Sequence, residues 1–482
     1  MFWYANALPF NSASSDFYPQ TVVSIAQARL SVRGPTTKEL AGPCLEVDVR
    51  DVDKHIVQFK VCWPGTRVTI MTDSWKDKSR RYHVNFLISC PTGIVYHSSI
   101  DLSKKRHTGR LICVHLDKIV DEVGPENVVQ VVTDNAANYR KACLLLMKRR
   151  PNIYWTPYAA HCINLIFKDI RKLKRVKYCI LKSKLITRFI YNHTYFHVLM
   201  REHCMREIVR ESTTRFTTAF LTIQSILVNK AGLRSMIRSN EWLTDRAAMS
   251  QLGRQVETIL LDRRFWAQCS HVVSITEPLV PVLRLSNFDD KPAMGFLFDA
   301  MKRSREAIFD NNIWNEEILE IVDRRCRDQL HQDIHAAGFF LNPQNYYSNT
   351  TLDDADIMEG VRNCIYRLKP DLETHMECMQ QLIMYMEKNG EFAYNNAKKA
   401  AAKLHPGFNL AEFSMNNSFL VLIVLTAENP LKMLIESYTT GVWYVMYNGD
   451  IWPVYLMMDR GDELKIPLTE MCLGMAYVTG VG

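Results

Sequence analysis

Two β-branched runs, each reaching an aspartate, restrict this chain more than any other feature. The first is Val68-Thr69-Ile70-Met71-Thr72-Asp73-Ser74-Trp75, and the second is Val128-Val129-Gln130-Val131-Val132-Thr133-Asp134-Asn135. Short β-branched segments that stop in a polar turn are strands of an α/β sheet. Sheets of that class carry their chemistry at the carboxyl ends of strands. Two carboxylates that converge there hold a divalent cation through oxygen. With a third ligand they would support two-metal phosphoryl transfer, one ion activating a water or hydroxyl and the other stabilising the leaving oxygen. The plainer reading is a pair of strand-end aspartates, with Asp134 or Asn135 capping the next helix.

The residues around these runs set the order of elements. After Asp73 come the charged turn Lys76 to Arg81, a run from His83 to Cys90, the turn Pro91-Thr92-Gly93 and a third run from Ile94 to Ile100. That is a hairpin pattern. Leu111, Val114, Leu116, Ile119 and Val120 follow a helical period that Gly124-Pro125 closes. The fourth strand reaches Asp134, a helix follows from Ala136 to Arg149, and Ile153-Tyr154-Trp155 reads as a fifth strand. Hairpin-joined strands followed by βα alternation predict an α/β fold with a mixed five-stranded sheet. From His161 to His335 the pattern is helical almost throughout, with Ile163, Phe167, Ile170, Leu173, Val176 and Ile180 on one face.

Composition narrows the class. The chain has 482 residues, 47% of them hydrophobic and 23% charged, which suffices for two or three buried cores. A net charge of +8 permits nucleic-acid binding without requiring it. Thirteen cysteines occur singly, with no Cys-x-x-Cys pair, which argues for reduced thiols and against a zinc finger. The start, Met1-Phe2-Trp3-Tyr4, lacks the basic segment of a signal peptide. The apolar run Phe419 to Leu425 is far shorter than the roughly 20 residues that cross a bilayer. A soluble, internal protein is expected.

Three further groups carry candidate chemistry. Lys168, Arg171, Lys172, Lys174, Arg175 and Lys177 form a basic stripe that would track a phosphate backbone, or simply a solvated helix face. Asp169 is the acid that offsets the run. His161 follows the fifth strand and would contact nucleic acid or open a helix as a structural histidine. Arg215-Phe216 would pair a phosphate-binding guanidinium with a base-stacking ring, or a surface arginine with a core phenylalanine.

Taken in order, these motifs resemble the hAT-superfamily transposases in the form common in plant genomes. The stretch Thr69 to Trp75 resembles their first catalytic strand, and Val131 to Tyr139 their second catalytic segment. Tyr154 to Leu165, Phe189 to His193, Thr214-Arg215-Phe216 and His335 to Pro343 match further blocks in the same order. The resemblance spans roughly residues 1 to 345, and the co-linear series is what makes it specific. It implies a ribonuclease-H-like fold interrupted by a long helical insertion, and an Asp-Asp-Glu triad with two Mg²⁺ or Mn²⁺ ions. By position Asp73 and Asp134 are its two aspartates. His161 keeps the family's histidine, but the cysteine expected three residues earlier is Tyr158. The amino-terminal zinc finger of complete transposases has no counterpart here.

The carboxyl end departs from the family. Glu436-Ser437-Tyr438 resembles the entry to the dimerisation region, yet the glutamate-bearing helix motif does not follow. Glu463 falls at the right distance, but Gly461, Pro453 and Pro467 disfavour a long helix around it. The expected division is an N-terminal helical segment (1–65), a ribonuclease-H-like core (66–172), an all-helical insertion (173–335) and a helical continuation with a degenerate dimerisation remnant (336–482). The expected function is nucleic-acid binding by a nuclear, transposase-derived protein that has lost catalysis and retains self-association. DNA is the expected partner, with no membrane and no small-molecule substrate. Two alternatives stand beside it: an active metal-dependent transposase using Asp73, Asp134 and Glu463, and a protein-interaction scaffold without DNA binding.

Overall fold

Val68–Lys76 (β1) is the strand around which the first part of the molecule is organised. In this computed structural model the described residues are 17–27, 33–77, 79–90, 93–211, 216–286, 294–310, 315–346, 355–369, 371–389, 442–447 and 450–455. They fall into two units, one of residues 1–155, 289–292 and 365–482, the other of residues 156–288 and 293–364.

In the first unit β1 pairs antiparallel with β2 (Tyr82–Cys90), which pairs antiparallel with β3 (Gly93–Asp101). On its other side β1 runs parallel to β4 (Val128–Thr133), and β5 (Tyr154–Pro157) follows, giving the order β3-β2-β1-β4-β5. This is the mixed five-stranded sheet expected from the hydrophobic runs. Strand boundaries differ by a residue or two, and by three at the end of β1. β1 runs on to Lys76, because its antiparallel ladder with β2 persists to Lys76↔Tyr82 while its parallel ladder with β4 ends at Thr72↔Thr133. Asp73 is therefore the first residue beyond the parallel pairing, still inside a strand.

Helices flank these strands. After α1 (Phe17–Gln27), a turn whose Thr36 and Glu39 cap each other leads through the π-turn Leu40–Cys44 into α2 (Leu45–Thr66). Phe59 and Trp63 of α2 are buried, and the helix packs on β2 and β3. The next helix, α3 (Gly109–Val123), starts at Thr108, whose hydroxyl accepts from the Leu111 N–H, and stops at Gly124, where φ is 97°. A left-handed φ of this kind is what glycine provides at a helix end. It packs on α4 (Ala137–Arg149) so closely that a Cβ on Gly109 would lie 2.8 Å from the Asn138 carbonyl. Arg150 closes the pair, reaching Asp117 and Asp121 at 2.6 Å each.

A distant residue completes this unit. Arg367 donates to the carbonyls of Pro151 (2.7 Å) and Ile153 (2.8 Å), and its guanidinium lies 4.3 Å from the Tyr154 ring centroid. It fixes the chain entering β5. Strands β6 (Val442–Tyr447) and β7 (Asp450–Tyr455) form an antiparallel hairpin in the tail. Glu436 and Glu463 lie outside the described residues.

Every described element wholly within the second unit is helical. Helices α5 (Ala159–Ile170), α6 (Lys174–Asn192), α7 (Thr194–His203), α8 (Thr218–Val228), α9 (Lys230–Met236) and α10 (Asn240–Thr244) come first. They are followed by α11 (Gln251–Leu261), α12 (Arg263–Thr276), α13 (Leu279–Leu285), α14 (Met294–Asp310), α15 (Asn315–Arg325) and α16 (Asp333–Phe340). One continuous apolar core joins Phe167, Phe189, Phe196, Trp242 and Phe265. The single apolar face read across residues 163 to 180 is broken at 171–173, a turn held by Lys172 N–H to Asp169 O and Leu173 N–H to Ile170 O. The apolar spacing carries across the break, so periodicity alone does not reveal it.

Candidate two-carboxylate site and basic surface

Register brings the two aspartates together. Thr72 and Thr133 are partners in the parallel ladder, and Asp73 and Asp134 each come next. Each carboxylate is oriented by its own backbone: Asp73 Oδ1 accepts from the Ser74 N–H at 2.6 Å, and Asp134 Oδ1 accepts from the Ala136 N–H at 2.8 Å. The second bond is an Asx turn leading into α4. Beneath it, Trp155 donates through Nε1 to the Thr133 hydroxyl (3.0 Å), which donates to the Asp134 carbonyl (2.7 Å). On the other side Asp73 faces Asn85 across β2, and Asn85 accepts from Ser99 of β3 at 2.7 Å.

Tyr139 lies in the first turn of α4. Its side chain is 1% exposed, and burial first, then the charges of Tyr82, Asp73 and Asp134, push the phenol well above its ordinary pKa. Ser74 accepts from the Tyr82 hydroxyl at 2.6 Å. The aspartates are legible in the sequence, whereas the Tyr82–Ser74 bond and the buried Tyr139 were missed there. Tyr139 stands five residues after Asp134, in the turn and first helical residues that follow the strand, and that placement was the available signal.

The donor set suits a hard cation, being two oxygen ligands on adjacent strands. Among the described residues no group of three or more His, Cys, Asp or Glu is placed to hold a metal, and Glu463 is not among them. A cavity of about 410 Å³ in this unit lies elsewhere, between α2, β3 and α3, lined by residues such as Asp53, Tyr96, His97 and Glu122.

The basic stripe divides in two. Arg171 bonds to Glu211 at 2.7 Å, and Lys184 reaches the same carboxylate at 3.0 Å. Lys172 bonds to Asp169 at 2.6 Å. The Asp169 carboxylate, 7% exposed, also receives Arg325 at 2.6 Å and Arg324 at 3.4 Å. Burial alone would raise its pKa, but the hydrogen bonds from Lys172 and Arg325 and their charges hold it below the usual range. Arg171 and Lys172 are thus engaged in ion pairs within the unit. Lys174, Arg175 and Lys177 are exposed in the first turn of α6, which contains no acid and has no side-chain cap.

The remaining candidates separate as well. His161 is exposed in the first turn of α5, and Tyr158, in the place of the expected cysteine, is buried at its N-cap. Arg215 lies outside the described residues. Phe216 packs against the helical core, with the Lys168 ammonium 5.4 Å from its ring centroid. His335 is 2% exposed, and burial first, then His331, draws its pKa down to about 3, so it is neutral in the folded protein.

The sheet and its paired aspartates define an α/β protein with carboxylates at a strand-end position. Residues 35–186 match the family model described as a domain of unknown function (DUF659), a domain found in hAT-like, plant transposase-like proteins. Comparison with curated proteins gives no match. Among the described residues no helix is long and apolar enough to cross a membrane.

Proposed function

We propose that this chain is a transposase-derived nucleic-acid-binding protein with a ribonuclease-H-like sheet and no catalytic activity. The order β3-β2-β1-β4-β5, with β2 antiparallel between β1 and β3, supports the sheet assignment. The similarity of residues 35–186 to a domain of transposase-like proteins supports the ancestry. DNA as partner, self-association and a nuclear location follow from that ancestry.

The observation that carries nucleic-acid binding is the start of α6. Three exposed cations occupy a first turn where the helix dipole favours acids. An arrangement that costs the free protein stability is relieved by a polyanion. For duplex DNA the affinity should fall linearly on a log–log salt plot, by about 0.9 for each phosphate neutralised. Replacing Lys174, Arg175 and Lys177 with Gln should lower that slope by about 2.7. An unchanged slope would remove the α6 surface from the interface, and a salt-independent affinity would favour a protein-interaction scaffold.

The adjacent register of Asp73 and Asp134 favours a second reading, a metal-dependent DNA strand transferase. Mg²⁺ or Mn²⁺ held by both carboxylates would polarise a phosphodiester and activate its attacking oxygen. A third carboxylate is not recognisable among the described residues, which is why binding without catalysis is the first reading. Thermal unfolding with and without Mn²⁺ separates the two. At about 100 times its dissociation constant, a bound ion adds about 2.7 kcal/mol to the native state. Stabilisation that disappears in both Asp73→Ala and Asp134→Ala would favour the enzyme. No stabilisation of the parent would leave both aspartates as structural residues.

A further inference from the structure

A second cationic feature of the helical unit shares no residue with the stripe. Helix α9 lies directly on the end of α7, where a Cβ on Gly232 would meet the His203 carbonyl and the Cys204 backbone. Beside this junction a hollow of about 510 Å³ is lined by His203, Ala231, Arg234, Ser235, Arg238 and Ser239. His203 Nδ1 and the Ser235 hydroxyl are 3.1 Å apart, which fixes the imidazole at the wall. Arg234 is half-buried, and its Nε is buried with no acceptor in reach. Among the described residues neither Arg234 nor Arg238 enters an ion pair. Arginines are normally matched by acids when partly buried, because a buried donor without an acceptor costs about 1–3 kcal/mol.

We infer that this hollow binds a phosphate group, gripped by the guanidiniums of Arg234 and Arg238 with the His203–Ser235 pair supplying a further donor. Planar guanidiniums in a concave wall suit the tetrahedral dianion, which takes several charge-assisted hydrogen bonds at once. One acid opposes it. The exposed Glu241, two residues beyond the lining residue Ser239, is held below its ordinary range by a backbone hydrogen bond, by Ser239 and by the charge of His203, and as an anion it competes with phosphate. The phosphate has two sources, a nucleic-acid backbone or a free phosphate ester. As a backbone contact the inference rests on the function proposed above; as a phosphate pocket it stands without it.

The test uses the full chain, its Arg238→Gln and Arg234→Gln/Arg238→Gln variants, and two probes. Inorganic phosphate is compared with KCl at matched ionic strength by thermal unfolding. Phosphate also stabilises proteins by exclusion, so the readout is the difference between parent and variant. The expected result is a phosphate-dependent rise in midpoint that is larger in the parent. The second probe is a fluorescent single-stranded oligonucleotide, whose salt slope should fall by about 1.4 in the double variant, about 0.7 for each phosphate no longer neutralised. A midpoint difference without a slope change keeps the pocket and assigns it to free phosphate esters. Equal midpoint rises with an unchanged slope overturn the inference. Glu241→Gln should tighten phosphate binding, a gain that damaged folding does not produce. A chain that binds no oligonucleotide yet keeps the phosphate difference would sink the proposed function and leave the pocket standing.

Discussion

The sheet unit and the helical unit hold their charged groups in opposite ways. Asp73 and Asp134 are oriented by the backbone: a strand register sets them side by side, and each takes a hydrogen bond from a main-chain N–H one or two residues on. Asp169 is oriented by side chains alone, with Lys172, Arg324 and Arg325 converging on one nearly buried carboxylate. A backbone-held acid takes its orientation from the conformation of its own segment. An acid held by three cations is committed to the fold. The same residue type has different consequences in the two units.

That contrast breaks most readily at Asp169. Its replacement by Ala would take the acceptor from Arg325 and from the more exposed Lys172 and Arg324, at a cost of about 1–3 kcal/mol in urea unfolding. Asp73→Ala, whose removed bonds include that from the Ser74 N–H, should cost less, about 1 kcal/mol. Equal costs would mean that the sheet aspartate is as structural as the helical one.

Acid sharpens the comparison next. The His335 pKa is lowered from 6.5 to about 3, so the unfolded chain takes up a proton that the folded chain refuses. This stability is complete above pH 6.5 and falls by about 1.4 kcal/mol per pH unit below it, until the folded pKa is reached. At about pH 5 the loss is about 2 kcal/mol. Measuring stability against pH for the parent and His335→Phe checks this: the variant should show a flatter acid limb, and identical limbs would place the sensitivity elsewhere.

The smallest effect belongs to the start of α6. Removing Lys174, Arg175 and Lys177 should stabilise the free protein by a few tenths of a kcal/mol for each cation taken from the positive end of the helix dipole. A loss of stability instead would show that these side chains make contacts the fold needs.

The sequence disclosed what short-range chemistry controls. The β-branched runs, the Pro91-Thr92-Gly93 turn and the Gly124 stop each act within a few residues, and the strands and α3 lie where those signals put them. The aspartates were legible for the same reason. Pairings between distant residues left no such trace. Nothing near Asp169 announces Arg325, and nothing near Arg171 announces Glu211, so two cations of a stripe that reads as continuous, Arg171 and Lys172, turn out to sit in ion pairs. The extension of β1 past Asp73 comes from its β2 partner and not from its own residues.

Arg367 has a consequence in time. It secures the chain before β5 from more than 200 positions away, so the ribosome delivers Pro151 to Tyr154 long before their clamp exists. At about 5–20 residues per second, the interval is about 10–40 s. The whole of the helical unit emerges during that wait, while the last strand of the sheet has its neighbour but not its fastening. A nascent chain paused before Arg367 should therefore lose β5 to proteolysis more readily than the finished protein, and Arg367→Ala would carry that vulnerability into the mature molecule.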